Sequence, residues 1–186
     1  MESDEGLTSP EPAGHEHEEL VGGLPAGTWR VDPDSSQVNF RARTFFVLPV
    51  NGFFERFGGE LRVDDQGNPS GSLVIETGSL RTGLGRRDEH LRSADFFLVE
   101  EFPQMTFTVE SLTPGDDRLA LSGTLAIRDQ SLPLTFPLTA IAHGDHLHLE
   151  GRVAFDLGPA GLGWEKPGLV SRAARANVAL TLQPAS

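Results

Sequence analysis

Apolar and polar residues alternate along most of the chain from Thr28 onward. Successive side chains of a β-strand point to opposite faces, so this period of two predicts strands with one buried face. The most regular run comprises Leu119, Leu121, Gly123, Leu125 and Ile127. Similar runs begin near Trp29, Ser36, Val50, Leu73, Met105, Leu132, Leu147 and Val178. The pattern predicts eight or nine strands, mostly at the spacing of hairpins.

Turn-forming residues separate the predicted strands. Asp32-Pro33-Asp34 predicts a turn that ends the first short strand, and residues 64–69 and 114–117 predict loops. The predicted strands are about ten residues long, whereas strands average nearer five or six. Long meandering strands favour an all-β, eight-stranded antiparallel up-and-down barrel over a sandwich. Gly52, Gly71 and Gly123 are expected to leave room inside it.

One segment departs from the alternation, and it predicts a short helix inserted between strands over residues 87–97. Its apolar stripe is weak, so tertiary contacts must hold it. Four arginines lie within twelve positions here, beside Phe96 and Phe97; they are Arg81, Arg86, Arg87 and Arg92. Guanidinium groups bind phosphate well, which suggests a site for an apolar body with an anionic head. The alternative is that these arginines pair with Asp88, Glu89 and Asp95 on a solvated helix.

Composition excludes several classes of function. The 186 residues suffice for one domain with its own core. The absence of cysteine excludes disulfides, thiolate metal sites and a cysteine nucleophile. A net charge of −12 argues against nucleic acid or an anionic membrane surface as partner. No apolar run is long enough to cross a bilayer, so stable membrane insertion is not expected.

Much of the negative charge lies at the N-terminus. The first 24 residues carry seven acidic side chains and no lysine or arginine. Such a segment buries too little apolar surface to offset the entropy of ordering. We therefore predict a disordered acidic tail over residues 1–26 and a barrel domain over residues 27–186. The segment also lacks the basic start and apolar centre of a secretory signal, so a cytoplasmic location is expected.

Two groups of polar residues were considered as reactive centres. Asp88, His90 and Ser93 lie close in sequence, but their spacing does not set them face to face, and nothing near them resembles a nucleophile elbow. His143, His146 and His148 could form a three-imidazole zinc or copper site in a small lipid-modifying or metal-dependent enzyme. The alternative is that they are solvated positions at a hairpin tip. We expect no metal, no cofactor and no enzymatic activity.

Several motifs together resemble those of a known family. They are the opening strand at Asp32 and residues 36–40 (SQVNF), the spaced set Val50, Gly52, Phe54, Phe57 and Gly59, Thr82 followed by residues 87–96 (RDEHLRSADF), residues 102–107 (FPQMTF), and Gly123, Leu125 and Ile127. From about Thr28 to the C-terminus, the chain resembles the YceI-like family, whose members are lipocalin-like barrels that bind polyisoprenoids. The chain has Thr44 where family members commonly have a histidine.

The resemblance implies a protein that carries or sequesters a long-chain isoprenoid lipid, such as a polyprenyl phosphate or pyrophosphate or a quinone, with a role in transport, storage or stress response. The resemblance and the apolar pattern together predict an apolar tunnel lined by Phe40, Phe54, Phe57, Leu73, Ile75, Phe107, Leu125 and Ile127. The head group is expected at Arg87, His90 and Arg92. Whether the protein forms a homodimer is left open.

Overall fold

The computed structural model describes residues 17–44, 48–158 and 173–185. Their elements in chain order are β1 (His17–Glu19), β2 (Gly27–Thr44), β3 (Leu48–Phe54), β4 (Phe57–Val63), β5 (Pro69–Glu76), a 3₁₀ turn (Thr77–Ser79), β6 (Leu80–Arg81), α1 (Gly85–Arg92), β7 (Gln104–Pro114), β8 (Leu119–Ile127), β9 (Gln130–His143), β10 (His146–Asp156) and β11 (Ala173–Pro184). All strand pairs are antiparallel.

Eight of the described strands close into a barrel. The ring runs from β2 through β4, β5, β7, β8, β9, β10 and β11, and β11 pairs with β2 again. β3 pairs with the second half of β2, and β6 pairs with β3. Since β3 leads into β4, and β5 leads through the 3₁₀ turn into β6, each pair acts as one interrupted barrel strand. The predicted eight-stranded antiparallel barrel with one helical insertion is confirmed.

The turn predicted at Asp32-Pro33-Asp34 is wrong. β2 runs unbroken for 18 residues, and β11 pairs with it on both sides of this segment. The pairing is irregular here, because Thr181 lies opposite Asp32 while Ala179 lies opposite Gln37. The Ser36 hydroxyl donates to the Asp32 carbonyl at 2.6 Å. The turn-forming residues therefore build a bulge, which takes up extra residues without reversing the chain.

The loop predicted at residues 64–69 is present between β4 and β5. The Asp64 carboxylate accepts hydrogen bonds from the backbone amides of Gln66 and Asn68 at 2.9 and 2.8 Å. The Asn68 side-chain amide also donates to it, and this bond holds the pKa of Asp64 below its usual value. Local side-chain bonds of this kind stabilise a tight turn without tertiary support.

The helix is shorter than predicted and begins two residues earlier. α1 spans Gly85–Arg92, and Ser93 already has extended backbone angles. The chain then folds back in a turn, in which the Phe97 amide donates to the Leu91 carbonyl at 3.1 Å. Leu98 follows with a φ of 46°, which no α-helix accommodates. Within the described part of the chain, no helix has the length and apolarity needed to cross a membrane.

Part of the predicted acidic tail belongs to the fold. β1 pairs with the end of β9, where His17 lies opposite His143. The pairing of β9 with β8 ends at Leu138, so the remaining edge of β9 is available to β1. The Leu20 amide donates to the Ala140 carbonyl at 2.8 Å, and Leu24 is buried. Residues 17–24 therefore contact the barrel upstream of the predicted boundary at residue 26, while residues 1–16 lie outside the described part.

The barrel core consists of two apolar clusters at its two ends. The far-end cluster contains Leu24, Val31, Leu61, Val63, Leu119, Phe136, Leu138, Ala140, Leu147, Leu149 and Leu182. The helix-end cluster contains Val38, Phe54, Ile75, Leu80, Met105, Leu125, Ile127 and Leu132. Five half-buried residues pack against both clusters and mark the middle of the barrel: Phe57, Leu73, Phe107, Leu134 and Leu180.

Candidate ligand-binding cavity

The barrel encloses an elongated cavity of about 930 Å³. Every strand of the eight-membered ring contributes side chains to it, and the lining reaches from Leu24 in the far-end cluster to Phe97 beside α1. This volume lies near the upper end of the range for small-molecule sites. A water molecule takes up about 30 Å³, and a methylene group is of similar size, so about thirty carbon atoms would fill the cavity.

Three phenylalanine rings pack over glycines of the neighbouring, hydrogen-bonded strand. A Cβ added to Gly151 would lie 2.7 Å from Cε2 of Phe136, and Cβ atoms on Gly52 and Gly123 would collide with the rings of Phe40 and Phe107. The glycines were expected to leave empty room inside the barrel. Instead Gly52 and Gly123 accommodate rings, which keeps bulky side chains out of the lumen. Gly71 closely approaches the Glu60 backbone.

Seven of the eight predicted tunnel residues line the cavity: Phe40, Phe54, Leu73, Ile75, Phe107, Leu125 and Ile127. Phe57 does not. Phe57 follows the break at Glu55-Arg56 between β3 and β4, and it packs between the two apolar clusters. Phe57 therefore packs against the core residues of the barrel and not against the cavity. The side chain of Thr44 lies outside the described part.

The helix end of the cavity carries most of its charged groups, and Glu60 on β4 lies away from it. Arg87 and His90 both line it, together with Asp95 and Phe96 from the turn after α1. The imidazole of His90 stands edge-on to the Phe96 ring, with centroids 5.2 Å apart, and Phe97 meets Phe54 edge-on at 6.1 Å. The contact between Phe97 and Phe54 on β3 anchors the helical insertion onto the barrel, whereas the contact between His90 and Phe96 lies within the insertion.

Thr82 is the point to which the start of α1 is attached. The buried Asp88 carboxylate accepts hydrogen bonds from the backbone amide and the hydroxyl of Thr82. Arg87 donates from Nε to the Thr82 hydroxyl at 2.8 Å and from Nη2 to the Thr82 carbonyl at 2.7 Å. These bonds fix the orientation of the Arg87 guanidinium at the edge of the cavity.

Arg92 is not among the residues that line the cavity, in contrast to the prediction. Its Nε donates to the Gly78 carbonyl at 3.0 Å and its Nη2 to the Leu80 carbonyl at 2.6 Å. Arg81 forms an ion pair with Glu55 at 2.9 Å. The four arginines therefore do not act together as one anion site. Only Arg87 among them lines the cavity.

Two residues that line the cavity carry no recognisable signal in the sequence. Arg128 lines its helix end, donates from Nη1 to the Phe96 carbonyl at 3.1 Å, and has a left-handed φ of 53°. Nothing in the sequence distinguishes it from an ordinary hairpin arginine, although a non-glycine residue at positive φ often marks a functional position. Leu24 lines the far end, and its acidic surroundings concealed its burial.

The two reactive centres considered from the sequence are not assembled. His146 pairs with Asp145 at 2.6 Å, and His148 Nδ1 lies 3.1 Å from the Thr181 hydroxyl. Across residues 17–44, 48–158 and 173–185, no group of three histidine, cysteine or acidic side chains is arranged to hold a metal. The Ser93 hydroxyl donates to the backbone carbonyl of His90 at 2.7 Å and not to its ring.

The similarity to known proteins covers nearly the whole barrel. The profile of the YceI-like domain matches residues 29–183. Protein YceI of Salmonella newport (strain SL254) is 32% identical over 160 residues, which cover 75% of this chain and 83% of that protein.

Solved structures show the same fold. BcnA of Burkholderia cenocepacia superposes with a TM-score of 0.74 at 21% identity and covers 81% of this chain and 98% of its own. A polyisoprenoid binding domain from Saccharophagus degradans, implicated in plant cell wall breakdown, superposes with a TM-score of 0.69 at 18% identity, over 84% and 98% of the two chains. The YCEI protein of Campylobacter jejuni gives a TM-score of 0.65 at 19% identity, over 74% and 86%.

Proposed function

Because the chain belongs to the YceI-like family, we propose that its barrel binds a long-chain isoprenoid lipid and carries or sequesters it without changing it chemically. The observation that carries the proposal is the cavity of about 930 Å³ with an almost wholly apolar wall. The structural neighbour from Saccharophagus degradans is a polyisoprenoid binding domain, which supports this class of ligand.

The lining suits a hydrocarbon chain better than a polar ligand. Each buried methylene group contributes about 0.8 kcal/mol, so several isoprene units bind tightly without hydrogen bonds. Part of that gain offsets the lost freedom of the ligand. The middle of the cavity, at Leu73, Phe107 and Leu134, offers such a chain only aliphatic and aromatic contacts.

The charged groups at the helix end favour one orientation of the lipid. Arg87, His90 and Arg128 can face a phosphate or pyrophosphate head group there, while the tail extends toward Leu24. The bonds of Arg87 to Thr82 hold its guanidinium in place before the ligand arrives, which lowers the entropy lost on binding. Arg92 is left out of this group, since it does not line the cavity.

Mass spectrometry of an organic extract from the purified native protein tests the proposal. We expect an isoprenoid lipid in the extract of the wild-type protein. Phe107→Asp places a charge in the middle of the lumen and should abolish co-purification of the lipid. Phe53→Asp is the matched control, because Phe53 is 47% exposed on the barrel surface. This control should retain the lipid.

A second variant separates loss of the cavity from loss of the fold. Leu73→Trp fills the lumen with an apolar ring and introduces no charge, so the barrel should stay folded by circular dichroism while lipid is lost. Isoprenoid retained by folded Phe107→Asp and Leu73→Trp would contradict the tunnel. The cytoplasmic location stays a prediction from the sequence.

A further inference from the structure

We propose that Leu24 is the stop that sets the length of the bound hydrocarbon. Residues 17–26, which we call the N-terminal cap, close the end of the barrel opposite α1. This inference rests on the proposed isoprenoid binding and adds to it a selection among chains of different length.

Leu24 is placed to meet the tip of the lipid tail. Its side chain is 7% exposed, lines the cavity, and belongs to the far-end cluster with Val31, Leu61 and Leu182. Glu60, which precedes Leu61 on β4, also lines the cavity, but its side chain is 47% exposed and its carboxylate pairs with Arg30 at 3.8 Å. A tail whose head lies at Arg87 and His90 therefore reaches an apolar wall at the far end.

The two ends of the cavity are separated by the length of the barrel. Leu24 precedes the first residue of β2, Gly27, which pairs with Val63. α1 is attached near the other end of this strand, where β3 pairs with residues 39–44 and β6 pairs with β3. Arg92 bonds to Leu80 in β6, and Phe97 contacts Phe54 in β3. The cap and the helix thus bound the tunnel at opposite ends.

Backbone contacts hold the cap against the barrel. β1 pairs with residues 141–143 of β9, and the Leu20 amide donates to Ala140 at 2.8 Å. Between Leu24 and β2, the Trp29 indole donates to the Pro25 carbonyl at 3.2 Å. Leu24 is therefore fixed between anchors on both sides, so an incoming chain cannot displace it without breaking these bonds.

The cap lies upstream of the region that matches the family profile, which begins at residue 29. The barrel wall falls within that shared region, whereas Leu24 does not. Selection of chain length by Leu24 would therefore be a property of this chain beyond the shared domain.

Removing the stop should lengthen the preferred lipid by a predictable amount. The leucine side chain has four carbon atoms, close to the five of an isoprene unit, so Leu24→Gly should admit about one further unit. Leu24→Phe adds bulk at the same place and should shorten the preferred chain. Val21→Gly, at a residue of the same cap that is 44% exposed, is the matched control.

The test offers the delipidated full-length protein an equimolar series of polyprenols that differ by one isoprene unit. Mass spectrometry then measures the bound distribution. We expect the ratio of longer to shorter polyprenols to rise at least tenfold in Leu24→Gly, which is the effect of burying about two further methylene groups. The ratio should fall in Leu24→Phe and stay at the wild-type value in Val21→Gly.

The outcomes distinguish this inference from the proposed function. Polyprenols bound by all variants with the wild-type length distribution would overturn the role of Leu24 but leave isoprenoid binding intact. The proposed function would instead be overturned if the wild-type protein bound no polyprenol and the organic extract of the native protein contained no isoprenoid. The opposite shifts expected for the two Leu24 variants guard against a general loosening of the cap, which would move both in the same direction.

Discussion

Neighbouring charged residues of α1 have different hydrogen-bond partners and different roles. Arg87 and Asp88 bond to Thr82, and Arg87 also lines the cavity. Arg92, one turn later, bonds to carbonyls of the 3₁₀ turn and β6. Because residues five apart on a helix lie about 140° apart around its axis, Arg87 and Arg92 project in different directions, and a cluster of arginines in the sequence need not form a single site.

At this scale we predict that Arg92 contributes to stability and not to lipid binding. Arg92→Met removes the charged donor of the Gly78 carbonyl and one of the two donors of the Leu80 carbonyl, which keeps its bond from Arg81. The free energy of unfolding should therefore fall by about 1–3 kcal/mol. Arg86→Met on the exposed face of the same helix is the control and should stay within about 0.5 kcal/mol of wild type. Urea unfolding measures both variants.

The same variants should keep their lipid. Folded Arg92→Met protein that purified without isoprenoid would show that Arg92 reaches the ligand after all. In that case the sequence-based placement of the head group at all three residues would be the better account.

Large aromatic side chains of the barrel strands lie against glycines of the neighbouring strand, and this arrangement keeps the lumen wide. Phe136 on β9 lies against Gly151 on β10, and Phe107 on β7 lies against Gly123 on β8. Each ring therefore covers the neighbouring strand and does not project across the barrel. This arrangement explains how a cavity persists between strands that are rich in phenylalanine.

For these elements we predict that Gly151→Ala is costly. Its Cβ would lie 2.7 Å from the Phe136 ring and 3.3 Å from Val178, so the ring must turn into the lumen. Overpacking of this kind typically lowers the free energy of unfolding by about 1–3 kcal/mol. The amount of bound lipid should fall as well. Chemical denaturation and mass spectrometry of the extract measure the two effects.

Gly58→Ala is the matched control on β4. An added Cβ there meets no atom within 4 Å, and the backbone is not left-handed. Its unfolding free energy should equal or slightly exceed that of wild type, since alanine restricts the unfolded chain. Equal stability of the two glycine variants would argue against the ring-on-glycine packing.

A bound ligand is expected to contribute to the stability of a hollow barrel. The two apolar clusters face a cavity that solvent or lipid must fill, so a bound tail completes the core. A ligand that binds only the folded state stabilises it by an amount that rises with its concentration over Kd.

For the whole molecule we predict that delipidation lowers the melting temperature. A hundredfold excess of lipid over its Kd is worth about 2.7 kcal/mol, which corresponds to a shift of about 5–10 °C for a domain of this size. Differential scanning calorimetry of native, stripped and re-lipidated protein measures it. The lumen-filled Leu73→Trp variant should melt at one temperature in all three states, and a lipid response in it would contradict the argument.

The sequence by itself determined the antiparallel barrel, its helical insertion and seven residues of the apolar lining, because a period of two assigns each strand residue to one face and one shared register fixes the ring. It could not determine the bulge at Asp32, the burial of Leu24 or the inward placement of Arg128. These depend on which distant strand lies alongside: β11 holds both halves of β2 in line, β9 offers its free edge to β1, and Phe96 accepts a bond from Arg128. Local pattern sets the face of a residue, whereas contacts between segments far apart in the chain decide what that face meets.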